Sequence, residues 1–313
     1  MRRVRPVVIA SAALPYDAAA ALGGGFEFRA PARGWLDRDA MLGQVADADA
    51  VITVLRTRVD AELLDAAPGL RLVANCAVGY DNVDVDAATA RGIAVTNTPG
   101  VLTDATADFA FALLMAAARR VVEGDALVRG GGWQGWEIDQ LLGAPIAGAT
   151  LGIVGMGRIG QAVARRAAGF SMNVLYSSPR DVEAAPPGAR RVELSELLGQ
   201  SNFVSLHCPL VPKTRHIIDA GALASMKPGA ILINTARGLC VDERALVAAL
   251  RSGHLGGAAL DVFEREPDVE RGLQECSRVV LAPHAGSATT TTRARMVEIC
   301  LEAVRDVAAG RRP

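Results

Sequence analysis

The run Gly155-Met156-Gly157-Arg158-Ile159-Gly160 constrains this chain more than any other feature, because of what stands on either side of it. Before it lies the apolar stretch Leu151-Gly152-Ile153-Val154, and after it the helix-like Gln161-Ala162-Val163-Ala164-Arg165-Arg166. Strand, glycine turn and helix, in that order, form the context that a dinucleotide pyrophosphate requires. Gly155 permits the tight turn, Gly157 lets the backbone approach the anion, and Gly160 lets helix and strand pack closely, while the helix N-terminus offers unpaired N–H groups. A glycine turn in an ordinary βα unit is the plainer alternative. The motif stands mid-chain, so another folded unit is expected before it.

Strand-like runs at Pro6 to Ala10, Ala50 to Leu55, Leu70 to Asn75 and Ile93 to Thr96 alternate with alanine-rich helical segments, Ala61 to Ala67 and Asp84 to Arg91 among them. Thr103-Asp104-Ala105-Thr106 reads as a capping region that opens an apolar helix from Ala107 to Arg120, and Gly130-Gly131-Gly132 interrupts the pattern. From Leu151 the alternation resumes, with strands at 151–154, 173–176, 203–206, 230–234, 257–260 and 279–282, and helices that include Glu243 to Arg251. Right-handed crossovers then make a parallel sheet whose ligands bind at the strands' carboxyl ends. The helical tail from Thr292 to Ala309 has no later strand to serve and is expected to return to the first unit. The fold class is therefore α/β with two doubly wound parallel-sheet domains. Residues 1–98 and 287–313 form a discontinuous substrate-binding domain, and 99–286 form the dinucleotide-binding domain inserted into it.

A length of 313 residues suffices for two such cores, with half of the residues hydrophobic. Lys+Arg 33 against Asp+Glu 34 gives a net charge of -1, which argues against nucleic acid or an anionic membrane as partner and favours a small ligand. Cys76, Cys208, Cys240, Cys276 and Cys300 are scattered, odd in number and without a C-x-x-C pair, so reduced thiols and no zinc site are expected. Arg2, Arg3 and Arg5 before Val7 to Leu14 imitate a signal peptide, but the apolar run is short and ends at Pro15, which leaves a cytoplasmic protein as the expectation.

Polar residues gather where strands should end. Asn234-Thr235-Ala236-Arg237-Gly238 follows one strand, Asp261 to Pro267 the next, and Pro283-His284-Ala285-Gly286-Ser287 the last. An arginine can hold a carboxylate bidentately, a histidine can exchange a proton with a carbonyl or alcohol oxygen, and a glutamate can keep the imidazole protonated. Singly, Arg237, Glu266 and His284 could be a surface ion-pair partner, a loop charge and a core histidine. At successive strand ends beside a dinucleotide turn they suggest one reaction. His207, His216 and His254 lack ligand spacing, so no metal is expected, and Cys208 should line the cofactor cleft rather than react.

Across nearly its whole length the chain resembles the D-2-hydroxyacid dehydrogenase family. The resemblance rests on Val78 to Asp84, Asn97 to Asp104, the glycine motif, His207-Cys208-Pro209-Leu210, Asn234 to Gly238, Ala259 to Pro267 and Pro283 to Ser287. Where the family usually carries isoleucine, this chain has Ala285. The resemblance implies Arg237 as carboxylate and carbonyl anchor, His284 as acid/base, Glu266 as its partner and Asp261 near the nicotinamide amide. It implies Leu55, Val78 and Gly79 on the substrate, and Cys208, Pro209, Thr214, Thr235, Ala236 and Gly286 beside the cofactor. Residues 98–104 with Gly132-Trp133-Gln134-Gly135-Trp136 are most similar to the glyoxylate and hydroxypyruvate reductases, which implies a homodimer in which Trp136 narrows the neighbour's pocket; packing under the glycine loop is the plainer alternative. A phosphite dehydrogenase, or a non-catalytic dinucleotide sensor like the family's co-repressors, are the competing readings. The cleft is expected to close about hinges near 97–100 and 282–286. NAD enzymes place an acid about 20 residues beyond the glycines. Here Ser177-Ser178-Pro179-Arg180 precedes Asp181, and two hydroxyls with an arginine suit a 2′-phosphate, so NADP(H) is expected over NAD(H).

Overall fold

A computed structural model of the chain describes residues 5–180, 182 and 185–313; Arg2, Arg3 and Asp181, which entered the sequence reading, lie outside them. The chain divides into two compact units, 1–102 with 288–313, and 103–287. The first unit runs β1 (Val7–Ala10), α1 (Ala18–Leu22), β2 (Glu27–Arg29), α2 (Arg38–Val45), β3 (Ala50–Thr53), α3 (Ala61–Asp65), β4 (Leu72–Asn75), α4 (Val85–Ala90) and β5 (Ala94–Thr96). The second opens with α5 (Thr103–Ala118) and α6 (Val121–Arg129), then β6 (Thr150–Val154), α7 (Arg158–Ala167), β7 (Asn173–Ser177), β8 (Arg190–Arg191), α8 (Leu194–Gln200) and β9 (Phe203–Leu206). It closes with α9 (Ala220–Ser225), β10 (Ile231–Asn234), α10 (Glu243–Arg251), β11 (Gly257–Leu260), α11 (Arg271–Gln274) and β12 (Val279–Leu281), before α12 (Thr290–Ala308) returns to the first unit.

Both sheets are parallel. The first has five strands in the order β2-β1-β3-β4-β5, so the chain reverses its direction of travel across the sheet between β1 and β3. The second has seven, β12-β11-β10-β9-β6-β7-β8, and reverses between β6 and β9. Helices cover both faces, which is why β1, β3, β4, β9, β10 and β11 are buried at every residue and read as unbroken runs rather than alternations.

The first sheet holds one apolar layer on each face. One packs Val7, Ile9, Val51 and Val73 on Met41, Leu63 and Leu64, and the other packs Val8, Ile52, Leu72 and Ala74 on Val297, Cys300, Leu301 and Val304 of α12. The returning tail helix thus covers one face of the first sheet together with Ala18 and Leu22 of α1. Thr289 caps it, its hydroxyl accepting from the Thr292 N–H at 3.1 Å. In the second unit Leu151, Ile153, Phe203 and Ile233 pack on α5 and α7, while Leu206, Leu232 and Leu260 face the opposite layer with Leu223, Leu246 and Leu250.

Three expectations need correction. The first helix of the second unit begins at Thr103, so residues 103–106 form its first turn rather than a capping region before it. It also stops at Ala118, and after Arg120, at φ 52°, a separate helix α6 follows with no buried residue. Last, the edge strands β2 and β8 carry Glu27-Phe28-Arg29 and Arg190-Arg191, too short and too polar to register as apolar runs.

Candidate active site

The glycine turn leaves β6 at the point where the second sheet reverses. Gly155 has φ +96°, and a Cβ there would stand 2.7 Å from the Cys208 nitrogen and 2.8 Å from its Cα. The residue is therefore demanded by the chain leaving β9 as well as by the turn itself. Gly160 is demanded by the Gly155 carbonyl, against which any Cβ would press. Gly157 differs: nothing lies within 4 Å of its Cβ position, and it caps α7 without a side-chain hydrogen bond. Arg158 to Gly160 bear the first N–H groups of α7, which have no carbonyl partner within the helix. Across the strand order, beyond β10, the Thr235 hydroxyl is shielded from solvent and has no hydrogen-bond partner among the described residues. An uncapped helix start and an orphaned hydroxyl along one sheet edge fit a dinucleotide.

At the end of β7 the Ser177 carbonyl accepts from Gly155 N–H at 2.9 Å, and the Ser178 carbonyl accepts from Arg191 Nη2 at 3.0 Å. Arg180 is exposed. The position of Arg191 beside Ser178 was not legible, since its edge strand has no apolar signal. Thr214 ties the loop after β9 by donating to the Pro209 carbonyl at 2.6 Å and accepting from Val211 N–H at 2.9 Å. The Cys208 thiol points into the core, 3.9 Å from Cys240 Sγ, so the turn meets its backbone.

Arg237, Asp261, Glu266 and His284 come together at the ends of β10, β11 and β12. His284 Nδ1 lies 2.9 Å from Glu266 Oε2, and the other carboxylate oxygen, Oε1, accepts from Phe263 N–H at 3.1 Å. With a carboxylate at Nδ1 the proton belongs on that nitrogen, which turns Nε2 away from the pair. Burial pushes the Glu266 carboxyl up, but the His284 hydrogen bond and charge, the Phe263 N–H and Arg237 outweigh it and hold the group below its ordinary value. Glu266 is therefore charged at neutral pH and takes up a proton only as pH falls through that depressed value.

Asp261 is 1% exposed, and burial raises its pKa although two backbone donors oppose the shift. Those donors are Ala285 N–H to Oδ1 at 2.6 Å and Gly286 N–H to Oδ2 at 2.8 Å. Both of its oxygens thus hold the loop that carries His284, whose φ is +55° and whose own N–H reaches the Asp261 carbonyl at 2.8 Å.

Asn234 shapes the arginine loop, donating to the Arg237 carbonyl at 2.9 Å and accepting from Ala236 N–H at 3.0 Å. The Arg237 Nη1 donates to the Ala236 carbonyl at 2.8 Å. The next residue, Gly238, lies directly on the Phe263-Glu264 backbone, where any Cβ would collide. That contact brings the arginine loop against the loop bearing Glu266. Its partner in space is far away in sequence, so Gly238 carried no signal of this role.

In the first unit Leu55, Val78 and Gly79 lie beyond the carboxyl ends of β3 and β4. Asn75 donates to the Gly79 carbonyl at 2.8 Å, and Asn97 to the Val78 carbonyl at 2.8 Å. Trp136 is 79% exposed and Trp133 52%, so neither is packed under the glycine loop. They share an exposed apolar stretch with Val121, Val122, Val128, Ile138 and Leu142. Desolvation pushes His207 down to about 4, leaving it neutral beside the Ser205 hydroxyl at 2.8 Å, and His254 bonds the Leu223 carbonyl. Among the described residues no group of three or more His, Cys, Asp and Glu could hold a metal ion, and no helix is long and apolar enough to cross a membrane.

Residues 111–286 match the family described as D-isomer specific 2-hydroxyacid dehydrogenase, NAD binding domain. The glyoxylate reductase of Thermococcus litoralis is 51% identical over 291 residues, 91% of this chain and 86% of the relative. The solved glyoxylate reductase of Paecilomyes thermophila superposes with TM-score 0.86 at 36% identity, covering 97% of this chain and 96% of that one. An NADPH-dependent glyoxylate/hydroxypyruvate reductase of Sinorhizobium meliloti, solved with NADP and malonate, gives TM-score 0.85 at 34% identity over 96% of this chain and 93% of its own.

The Gly238 contact yields a test: Gly238→Ala should cost roughly 1–3 kcal/mol of stability, the usual penalty of overpacking. An unchanged urea midpoint would mean that the two loops separate freely.

Proposed function

As a member of the D-isomer specific 2-hydroxyacid dehydrogenase family, this chain is a nicotinamide-dinucleotide-dependent 2-oxo acid reductase, and we propose that Arg237, Glu266 and His284 carry its chemistry on glyoxylate or hydroxypyruvate, with the D-2-hydroxy acid as product. The observation that carries the assignment of roles is the 2.9 Å pairing of His284 Nδ1 with Glu266, at the sheet edge that also bears the glycine turn. The bound dinucleotide supplies a hydride to the carbonyl carbon. His284 Nε2 gives the carbonyl oxygen its proton, while Glu266 holds the ring in place by Nδ1. Arg237 binds the carboxylate and polarises the carbonyl through its planar fork. Asp261 keeps the histidine loop in place, and its carboxylate is the candidate neighbour of the nicotinamide amide. Val78, Gly79 and Leu55 serve the substrate from the first unit, which we take as the substrate-binding domain.

The dinucleotide would be held by Gly155 to Gly160, Pro209, Thr214, Thr235, Ala236 and Gly286, with the Cys208 backbone beneath the turn. We read Ser177, Ser178 and Arg180 as a 2′-phosphate site, to which Arg191 adds a second guanidinium beside Ser178. That supports a preference for NADP(H). The exposed apolar stretch around Trp136 supports a homodimer, with Trp136 reaching the substrate pocket of the second copy.

A matrix of initial rates, two cofactors against several 2-oxo acids, tests the reading directly. Wild type should show the higher kcat/KM with NADPH, and Ser178→Asp should reverse the order mainly through KM, because the 2′-phosphate is remote from the reacting carbon and contributes uniform binding. A wild-type preference for NADH would sink the cofactor assignment. His284→Ala should retain dinucleotide binding and lower kcat by roughly 10²–10⁴; an unchanged kcat at neutral pH removes the histidine as proton donor. Light scattering should report a dimer, and Trp136→Ala should depress turnover of glyoxylate more than that of bulkier 2-oxo acids. A monomer with an unaltered substrate profile would refute the shared pocket.

A further inference from the structure

In the first unit the residues of β4 alternate between its two faces, and Leu72 and Ala74 lie in the layer that α12 covers. The next residue on that face is Cys76, one position beyond the strand, whose N–H reaches the Thr53 carbonyl at 2.7 Å. From the helix, Val297, Cys300, Leu301 and Val304 turn toward the same layer at the spacing of one stripe. Cys76 and Cys300, distant in sequence, thus pack in one cluster, and their thiols are hydrogen-bonded to each other.

The two sulfurs differ in setting. Cys300 is 1% exposed, whereas Cys76 is only half-buried. The hydrogen bond from Cys300, together with the charge of Arg293, holds the Cys76 thiol below its ordinary value against the effect of burial, while the same pairing and burial push Cys300 up. A thiolate is the form that attacks an oxidant, and a thiol beside it can resolve the product. The second unit holds the contrary case. Cys208 and Cys240 stand 3.9 Å apart, but both are buried and Cys208 is pushed up.

Cys76 also opens the loop that carries Val78 and Gly79. Three bonds fix that loop: Asn75 donates to the Gly79 carbonyl, Asn97 to the Val78 carbonyl, and Thr98 N–H to the Ala77 carbonyl at 2.9 Å. A disulfide is much shorter than a contact between thiols, so forming one draws Cys76 and Cys300 together. Val297, Leu301 and Val304 anchor α12 in the core, and Cys76 lies outside regular structure, so the displacement falls on the loop.

We propose that Cys76 and Cys300 are a peroxide-responsive disulfide site, Cys76 the attacking sulfur and Cys300 the resolving one, and that closing the bond displaces Val78 and Gly79 and slows turnover. The Cys76 thiolate attacks one oxygen of the peroxide and the O–O bond breaks. Cys76 becomes a sulfenic acid, and the departing hydroxide leaves as water with the proton that Cys76 released. The Cys300 sulfur then attacks the Cys76 sulfur, the S–O bond breaks, and a second water leaves with the Cys300 proton. Two thiols lose two electrons and one peroxide gains them. The effect on turnover rests on the reading that Val78 and Gly79 hold substrate; the bond itself does not.

The test treats the reduced full chain with hydrogen peroxide, alkylates the remaining thiols, maps the peptides by mass spectrometry and follows initial rates with glyoxylate. Wild type should gain a Cys76 to Cys300 cross-link and lose about tenfold or more in kcat/KM, the scale set by misplacing a binding group by an ångström. Dithiothreitol should reverse both changes. Cys76→Ser and Cys300→Ala should each keep their own initial activity through the same treatment, and Cys300→Ala should accumulate dimedone-reactive sulfenic acid at Cys76. No cross-link in wild type, or one between Cys208 and Cys240 in its place, overturns the site without recourse to a variant. A loss of activity that persists in Cys76→Ser belongs to another group and overturns it as well, and a cross-link that leaves kcat/KM unchanged overturns the coupling to the loop. Absence of turnover by the reduced protein on every 2-oxo acid sinks the reductase reading, while the cross-link still decides the site.

Discussion

Two of the loops that leave the seven-stranded sheet meet neighbouring main chain at a glycine, and a third glycine packs on side chains. Gly155 meets the chain at His207-Cys208, Gly238 meets Phe263-Glu264, and Gly286 lies close to Asp261 and Thr106. A side chain at Gly155 or Gly238 would force the loops apart, because what it would strike is main chain, which cannot rotate away. The dinucleotide turn, the arginine loop and the histidine loop therefore hold their positions through rigid contacts at the edge, with strands buried on both faces behind them. Geometry of that kind is what a hydride and proton transfer need, since reacting groups must be held before substrate arrives.

Charge is arranged in the same frame. Asp261 is buried, which would be costly for a carboxylate left alone, and its two oxygens recover hydrogen bonds from the Ala285 and Gly286 N–H groups. Those bonds also hold His284 in a left-handed conformation that costs a non-glycine residue of order 1–2 kcal/mol. The strain is maintained by the buried acid, and the result is an imidazole whose Nδ1 faces Glu266. Glu266 in turn is kept ionised by His284, by a backbone donor and by the charge of Arg237. The residues assigned to chemistry thus set one another's states.

Much of this arrangement was legible in the chain. Strands buried on both faces announce themselves as short apolar runs, so β1, β3, β4, β6, β9, β10 and β11 were readable within a residue or two, and α10 and β11 at their observed limits. The tail helix was readable by elimination, and it does pack on the first sheet through Val297, Leu301 and Val304. Short amphipathic or polar elements were not readable. α1, α2, α6, α8 and α9 have weak or mixed periodicity, and β2 and β8 owe their strand geometry to a neighbour's free edge rather than to their own residues.

The candidate site divides along the same line. Arg237, Asp261, Glu266 and His284 stood out because each follows an apolar run at the side of the sheet where the glycine turn lies, a relation that parallel topology makes deducible from order along the chain. What Gly238 abuts, why Asp261 is buried, which carbonyls Asn75 and Asn82 hold, and that Arg56 lies on Trp35 could not be deduced. Apart from the Asn75–Gly79 bond, those contacts join segments twenty or more residues apart, and no local pattern encodes a distance between two loops. Sequence by itself determined which residues reach the edges of the two sheets, because burial and strand period act locally. Only the tertiary structure decided which of them touch, because that depends on the separation and twist of strands that become neighbours through folding.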